Sequence, residues 1–90
     1  MDSIEKDLCS IADVFIGRLP DLYVDDVKEL ADFREWGLSF RVLCDQLLEY
    51  DVKITNHEWE KINEIGNDIM GERPEEYDWS ALKKLIQINN

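Results

Sequence analysis

Apolar residues recur three and four positions apart along almost the whole chain, and no segment alternates cleanly with period two. A helix turns once per about 3.6 residues, so this spacing gathers apolar side chains on one stripe of a helix; a half-buried strand needs every second residue. Ile4, Leu8, Ile11 and Phe15 predict a helix over residues 2–17. Leu22, Val24, Val27, Leu30, Ala31 and Phe33 predict a second over 22–33, and Trp36, Phe40, Leu43, Leu47 and Tyr50 a third over 35–50. Trp59, Ile62, Ile65 or Gly66, and Ile69 give a fourth over 56–70; Trp79, Leu82, and Leu85 or Ile86 give a fifth over 74–88.

Punctuation agrees with these bounds. Ser3 or Asp2 can cap the first helix, Gly17 can close it, and Leu19-Pro20-Asp21 reads as a turn. Val52-Lys53-Ile54 is a short extended link before Thr55-Asn56-His57-Glu58, which has capping-box spacing: the Thr hydroxyl accepts from the Glu amide while the Glu carboxylate reaches back. Gly71 can stop the fourth helix, and Pro74 suits the first turn of the fifth. Links of two to five residues favour antiparallel neighbours. The expected fold is all-α, a compact bundle of four to five short antiparallel helices forming one domain over residues 1–90.

Charge narrows the function. Twenty-one Asp and Glu face ten Lys and Arg, for a formal charge of −11 and an isoelectric point near 4.3. Such a field disfavours nucleic acid and anionic membrane, and speeds encounter with a basic protein. With 44% hydrophobic residues, the chain is no disordered acidic tail. Cys9 and Cys44 fall on apolar helical faces and read as reduced, buried thiols of a cytoplasmic protein. Residues 1–7 lack the basic and apolar regions of a signal peptide, and no apolar run reaches about 18 residues.

Catalytic and metal chemistry find little support. Asp25-Asp26 and Glu75-Glu76 are adjacent on helices and diverge by about 100°, so they do not converge on one ion. His57 is the only histidine and sits in a first helical turn. Glu49 and Glu58 have the chemistry of a paired acid and base, but nothing supplies a pocket. No enzyme activity, metal or cofactor is expected, and the free protein is expected to be a monomer.

Residues 35–51 carry the most particular pattern. Glu35, Gly37-Leu38, the small Ser39, Leu43-Cys44-Asp45-Gln46-Leu47 and Glu49-Tyr50-Asp51 precede a helix restart at Thr55, and Glu64-Ile65-Gly66 runs on to Met70-Gly71. Over residues 30–88 this resembles the MafI family of immunity proteins, which are similar to CdiI-type proteins of contact-dependent inhibition. The resemblance implies a cytoplasmic protein that binds and silences the C-terminal nuclease domain of a secreted bacterial toxin. An EndoU-like RNase, cutting tRNA or other RNA, is the first toxin class it implies.

Three acidic surfaces are candidates for that contact. The first is the far side of the third helix, where Leu38, Arg41, Val42, Asp45 and Glu49 combine aliphatic surface with carboxylates. Leu38 and Val42 fit equally well beneath a neighbouring helix. The second is the junction at Glu49, Asp51, Glu58 and Glu60, although the capping box already employs Glu58. The third is Arg73–Asp78, with Tyr77 as an aromatic anchor, although acids in a first helical turn are explained by the helix dipole alone. The competing function is an acidic helical adaptor or antitoxin acting on another basic nucleic-acid-binding protein. DNA mimicry fits less well, because ten basic residues interrupt the carboxylates.

Overall fold

The computed structural model describes residues 3–71 and 77–87. Among them the fold is all-α: α1 Ser3–Val14, α2 Asp21–Asp32, α3 Trp36–Glu49 and α4 Asn56–Met70, followed by a 3-10 helix, Ser80–Leu85. Each α-helix buries the middle of the stripe its spacing predicts, while Ile4, Leu30, Trp36, Trp59 and Ile69 nearer the ends are half-buried. Leu8, Ile11 and Ala12 of α1 meet Val24, Val27 and Ala31 of α2, Phe40, Leu43, Cys44 and Leu47 of α3, and Ile62 and Ile65 of α4 in one core. Burial of a side chain such as Leu or Phe contributes roughly 1.5–3 kcal/mol, so these stripes dominate stability.

The first helix ends earlier than predicted. After Val14 the amides of Phe15 and Ile16 bond only three residues back, to Ala12 and Asp13 at 3.0 and 3.2 Å. Phe15 stays in the core, Gly17 takes a left-handed φ of 86°, and the turn swings Leu19 into the core as well. Ser3 is the first helical residue and not the cap; Asp2, the other candidate cap, lies outside the described residues.

Three residues expected inside are outside. Leu22 and Phe33 are 63% and 67% exposed. At about 100° per residue they point roughly 140° and 120° away from Val27, on the far side of α2. Tyr50 is 49% exposed because it follows the last helical residue, where the core ends; its ring lies against Tyr23, centroids 5.9 Å apart. Trp36 is half-buried, with its indole N–H enclosed and unbonded.

The α2–α3 and α3–α4 connections close with the same device. Arg34 and Asp51 adopt φ of 62° and 48°, while Glu35 and Val52 donate back to Leu30 and Leu47 at 2.9 and 3.0 Å. That six-to-one bond is the Schellman closure, which usually puts glycine at the left-handed position. Burial of Val52 against the last turn of α3 supplies its hydrophobic contact. The Ser39 hydroxyl, fully buried, donates to the Val27 carbonyl at 2.7 Å and ties α3 to α2.

The predicted capping box of α4 forms: the Glu58 amide donates to Thr55 Oγ1 at 3.0 Å, and the Thr55 amide to Glu58 Oε1 at 2.9 Å. Gly71 caps α4 in right-handed geometry. Gly66 marks a close crossing. A Cβ there would stand 2.6 Å from the Trp79 ring and 2.8 Å from Phe40.

The predicted fifth α-helix is corrected. Residues 77–79 are not helical, Ser80–Leu85 form a 3-10 turn, and Ile86–Gln87 are extended. The buried link Val52–Ile54 explains this. Ile54 is only 1% exposed, so its backbone amide and carbonyl need partners. The C-terminal segment supplies them: the Ile54 amide donates to Leu85 O at 3.0 Å, and the Gln87 amide to Ile54 O at 2.8 Å. A continuous helix would leave no edge for that bridge. The proposed role of Pro74 lies outside the described residues. No described helix is long and apolar enough to cross a membrane.

Candidate protein-binding surface

The far side of α3 is a real surface with one unforeseen lid. Leu38 is 50% exposed, and Arg41, Asp45 and Glu49 are exposed on the same stripe. Val42 is half-buried and packs against the core, so it belongs more to the bundle than to the surface. Tyr77 folds over the middle of the stripe. Its hydroxyl donates to Asp45 at 2.7 Å, Arg41 stacks over its ring at 5.1 Å, and Phe40 meets it edge-on at 6.3 Å. Burial, and next the bond to the Asp45 carboxylate, push the Tyr77 phenol well above its usual range. The predicted aromatic anchor therefore joins the first candidate face. Of the rest of the third patch, Arg73, Glu75 and Glu76 lie outside the described residues, and the exposed Asp78 is engaged locally: it accepts the Ser80 amide at 2.9 Å.

The junction candidates divide. Asp51 is exposed and pairs loosely with Lys53 at 3.4 Å. Glu58 is engaged within the fold. Arg18, forty positions away, grips its carboxylate with both guanidinium nitrogens, one of them at 3.2 Å, and also donates to the Val14 and Lys53 carbonyls. Burial alone would raise the Glu58 carboxyl; the bonds from Arg18 and from the Thr55 amide outweigh it and hold the group below its usual value. Spacing gave no hint of Arg18, because its partner comes from a different helix. Asn63 was missed for the same reason: its side chain accepts the Trp79 indole N–H at 2.9 Å and fixes the C-terminal segment on α4.

The acidic surface is exposed and, among the described residues, carries few ion pairs. All described carboxylates are exposed except the half-buried Glu5, Asp26 and Glu58. Among the described residues only three ion pairs form: Arg18–Glu58, Lys28–Asp13 and Lys53–Asp51. No α-helix has a basic residue in its last turn. Each has a carboxylate there instead: Asp13, Glu29 with Asp32, Glu49, and Asp68. The C-terminal end of a helix carries roughly half a negative charge, so these positions oppose stability. Among the described residues only Asp13 of this set forms an ion pair, with Lys28 at 2.8 Å.

Among the described residues no three of the His, Cys, Asp and Glu side chains cluster as metal ligands would. Both cysteines are free thiols, Cys44 buried and Cys9 half-buried, and burial raises both above the ordinary thiol range. The α3 face presents a protruding leucine, an aromatic ring held between Arg41 and Asp45, and carboxylates at its C-terminal end. No family model, curated protein or solved structure matches the chain.

Proposed function

We propose that this protein is an immunity protein: a cytoplasmic inhibitor that binds the C-terminal nuclease domain of a secreted bacterial toxin through the acidic face of α3. The observation that supports the reading is Glu49, which ends α3 without an ion pair among the described residues where it opposes the helix dipole, as Glu29, Asp32 and Asp68 do at the ends of α2 and α4. A nuclease holds phosphates with Lys and Arg, and its cleft is positive. Leu38 and Tyr77 offer apolar anchors beside Glu49 and Asp51, the composition of a contact with a dry centre and a charged rim. Complementary charge raises association towards ~10⁸ M⁻¹s⁻¹ at low salt, a useful property against a toxin that damages with every turnover. An EndoU-like RNase is the toxin class that the sequence resemblance favours.

The test is co-expression with the toxin domain encoded beside it, followed by an RNA-cleavage assay with purified components. Protection of cells and stoichiometric loss of cleavage are expected. Full cleavage in the presence of excess folded protein would remove the immunity reading and leave the acidic adaptor as the working alternative.

A further inference from the structure

A second surface, remote from Tyr77, has the form of a receptor for a helix. A groove of about 380 Å³ runs between α1 and α4. From α1, Asp7, Ile11 and Val14 line it at helical spacing; from α4, Glu58, Lys61, Glu64 and Ile65 do so. Its floor is aliphatic. Ile11 and Ile65 are 5% exposed, and Val14, at 43%, is open to solvent.

The groove has a direction. Arg18, just past the end of α1, holds Glu58 in the first turn of α4, so the two helices run antiparallel with Val14 beside Glu58. Asp7 lies about 10 Å back along α1 from Val14, and Glu64 about 9 Å along α4 from Glu58. The two carboxylates therefore flank the same end. Both are exposed and neither forms an ion pair among the described residues; Lys61 lies midway between Glu58 and Glu64 on α4, and Glu58 at the other end is neutralised by Arg18. Asp68, one turn beyond Glu64 on the same stripe, adds to the negative end.

We infer that the α1–α4 groove seats a short amphipathic segment of a basic protein partner. Its apolar side chains lie on Val14, Ile11 and Ile65, and a Lys or Arg one to two turns further on lies between Asp7 and Glu64. The roughly 10 Å from Val14 to Asp7 matches the length of about two helical turns, enough for one face of a helix to set an apolar pair four residues apart and one cation along the groove. The inference rests on the proposed function only in taking the partner to be a basic protein; it assigns that partner a second contact, separate from the α3 face.

The probe is a Leu/Lys amphipathic peptide of about 14 residues, titrated into ¹⁵N-labelled protein at low salt, with a Leu/Gln peptide of the same pattern as control. Amide shifts should concentrate on α1 from Asp7 to Val14 and on α4 from Glu58 to Ile65. Val14→Ser should weaken binding about five- to tenfold, as expected for loss of one aliphatic contact. Asp7→Asn with Glu64→Gln should weaken it about tenfold and flatten its salt dependence. Both variants alter exposed side chains, and their urea midpoints should match the parent. Shifts spread over every acidic helix and indifferent to Val14→Ser would overturn the inference, as would equal binding of the Leu/Gln peptide. Glu49→Lys with Leu38→Ser should leave this titration unchanged. If that variant alone abolishes it, the α3 face is the binding surface, and the groove falls while the proposed function stands.

Discussion

Neutralising the carboxylates at the ends of the helices should stabilise the protein. Glu29, Asp32, Glu49 and Asp68 occupy last turns that hold no basic residue, and none forms an ion pair among the described residues; Lys28, one turn before Asp32, is bonded to Asp13 instead. Each exposed charge on the wrong end of a helix dipole costs about 0.3–1 kcal/mol at low ionic strength. Replacing all four (Glu29→Gln, Asp32→Asn, Glu49→Gln, Asp68→Asn) should therefore gain on the order of 1–4 kcal/mol. It also lowers the formal charge from −11 to −7, which relieves self-repulsion in the same direction. For a domain of this size each kcal/mol raises Tm by about 4–8 °C. Urea melts at low salt and in 1 M NaCl provide the assay, because a Debye length of about 3 Å at 1 M should suppress most of the gain. Asp13→Asn is the internal control. Lys28, 2.8 Å away, already compensates that carboxylate, so its removal should not stabilise. A quadruple variant no more stable than its parent at low salt, or a gain undiminished by 1 M NaCl, would refute the reasoning.

Gly66→Ala should destabilise by about 1–3 kcal/mol, since the new methyl meets the Trp79 ring, held in place by Asn63, and Phe40; an unchanged urea midpoint would mean that α4 and the C-terminal segment are not in close contact there. The Arg18–Glu58 pair sets a pH dependence. The folded carboxyl is depressed, so its contribution is fully present above the ordinary Glu value of about 4.3 and fades as pH falls through the lower folded value. Arg18→Ala should lower stability at pH 7 and flatten the acid limb; parallel stability–pH curves for parent and variant would count against the pair.

The α-helices were legible because burial is periodic. Val27, Leu43, Cys44, Leu47 and Ile62 fall where 3.6-residue spacing puts them, and the Thr55–Glu58 cap is a local pattern of four residues. Periodicity lost its hold at ends and between elements. Leu22, Phe33 and Tyr50 lie at or beyond helix termini, where an apolar residue need not face a neighbour. Leu19, Val52 and Ile54 are core residues outside any helix, and spacing does not reveal them. The C-terminal segment departs from its helical stripe because Ile54 needs backbone partners, a demand set some thirty positions earlier in the chain. The candidate surface was legible to the same depth. Spacing put Leu38, Asp45 and Glu49 on one side of α3 but left open whether a neighbouring helix covers Leu38, and Tyr77 over Asp45 and Arg18 on Glu58 are tertiary contacts between residues 32 and 40 positions apart.

The central claim is that the α3 face meets a basic nuclease domain, and stopped-flow association with that domain on the same protein preparation tests it most directly. Asp45 is unsuitable for the test because it also accepts the Tyr77 hydroxyl, so the variant is Glu49→Lys with Leu38→Ser, two exposed side chains without a partner in the fold. With a urea midpoint no lower than the parent's, since a Lys at the end of α3 suits the helix dipole, the on-rate at low salt should fall about tenfold or more and vary less steeply with salt, and the apolar loss should shorten the lifetime of the complex. An on-rate and dissociation constant equal to those of the parent would show that the partner binds elsewhere.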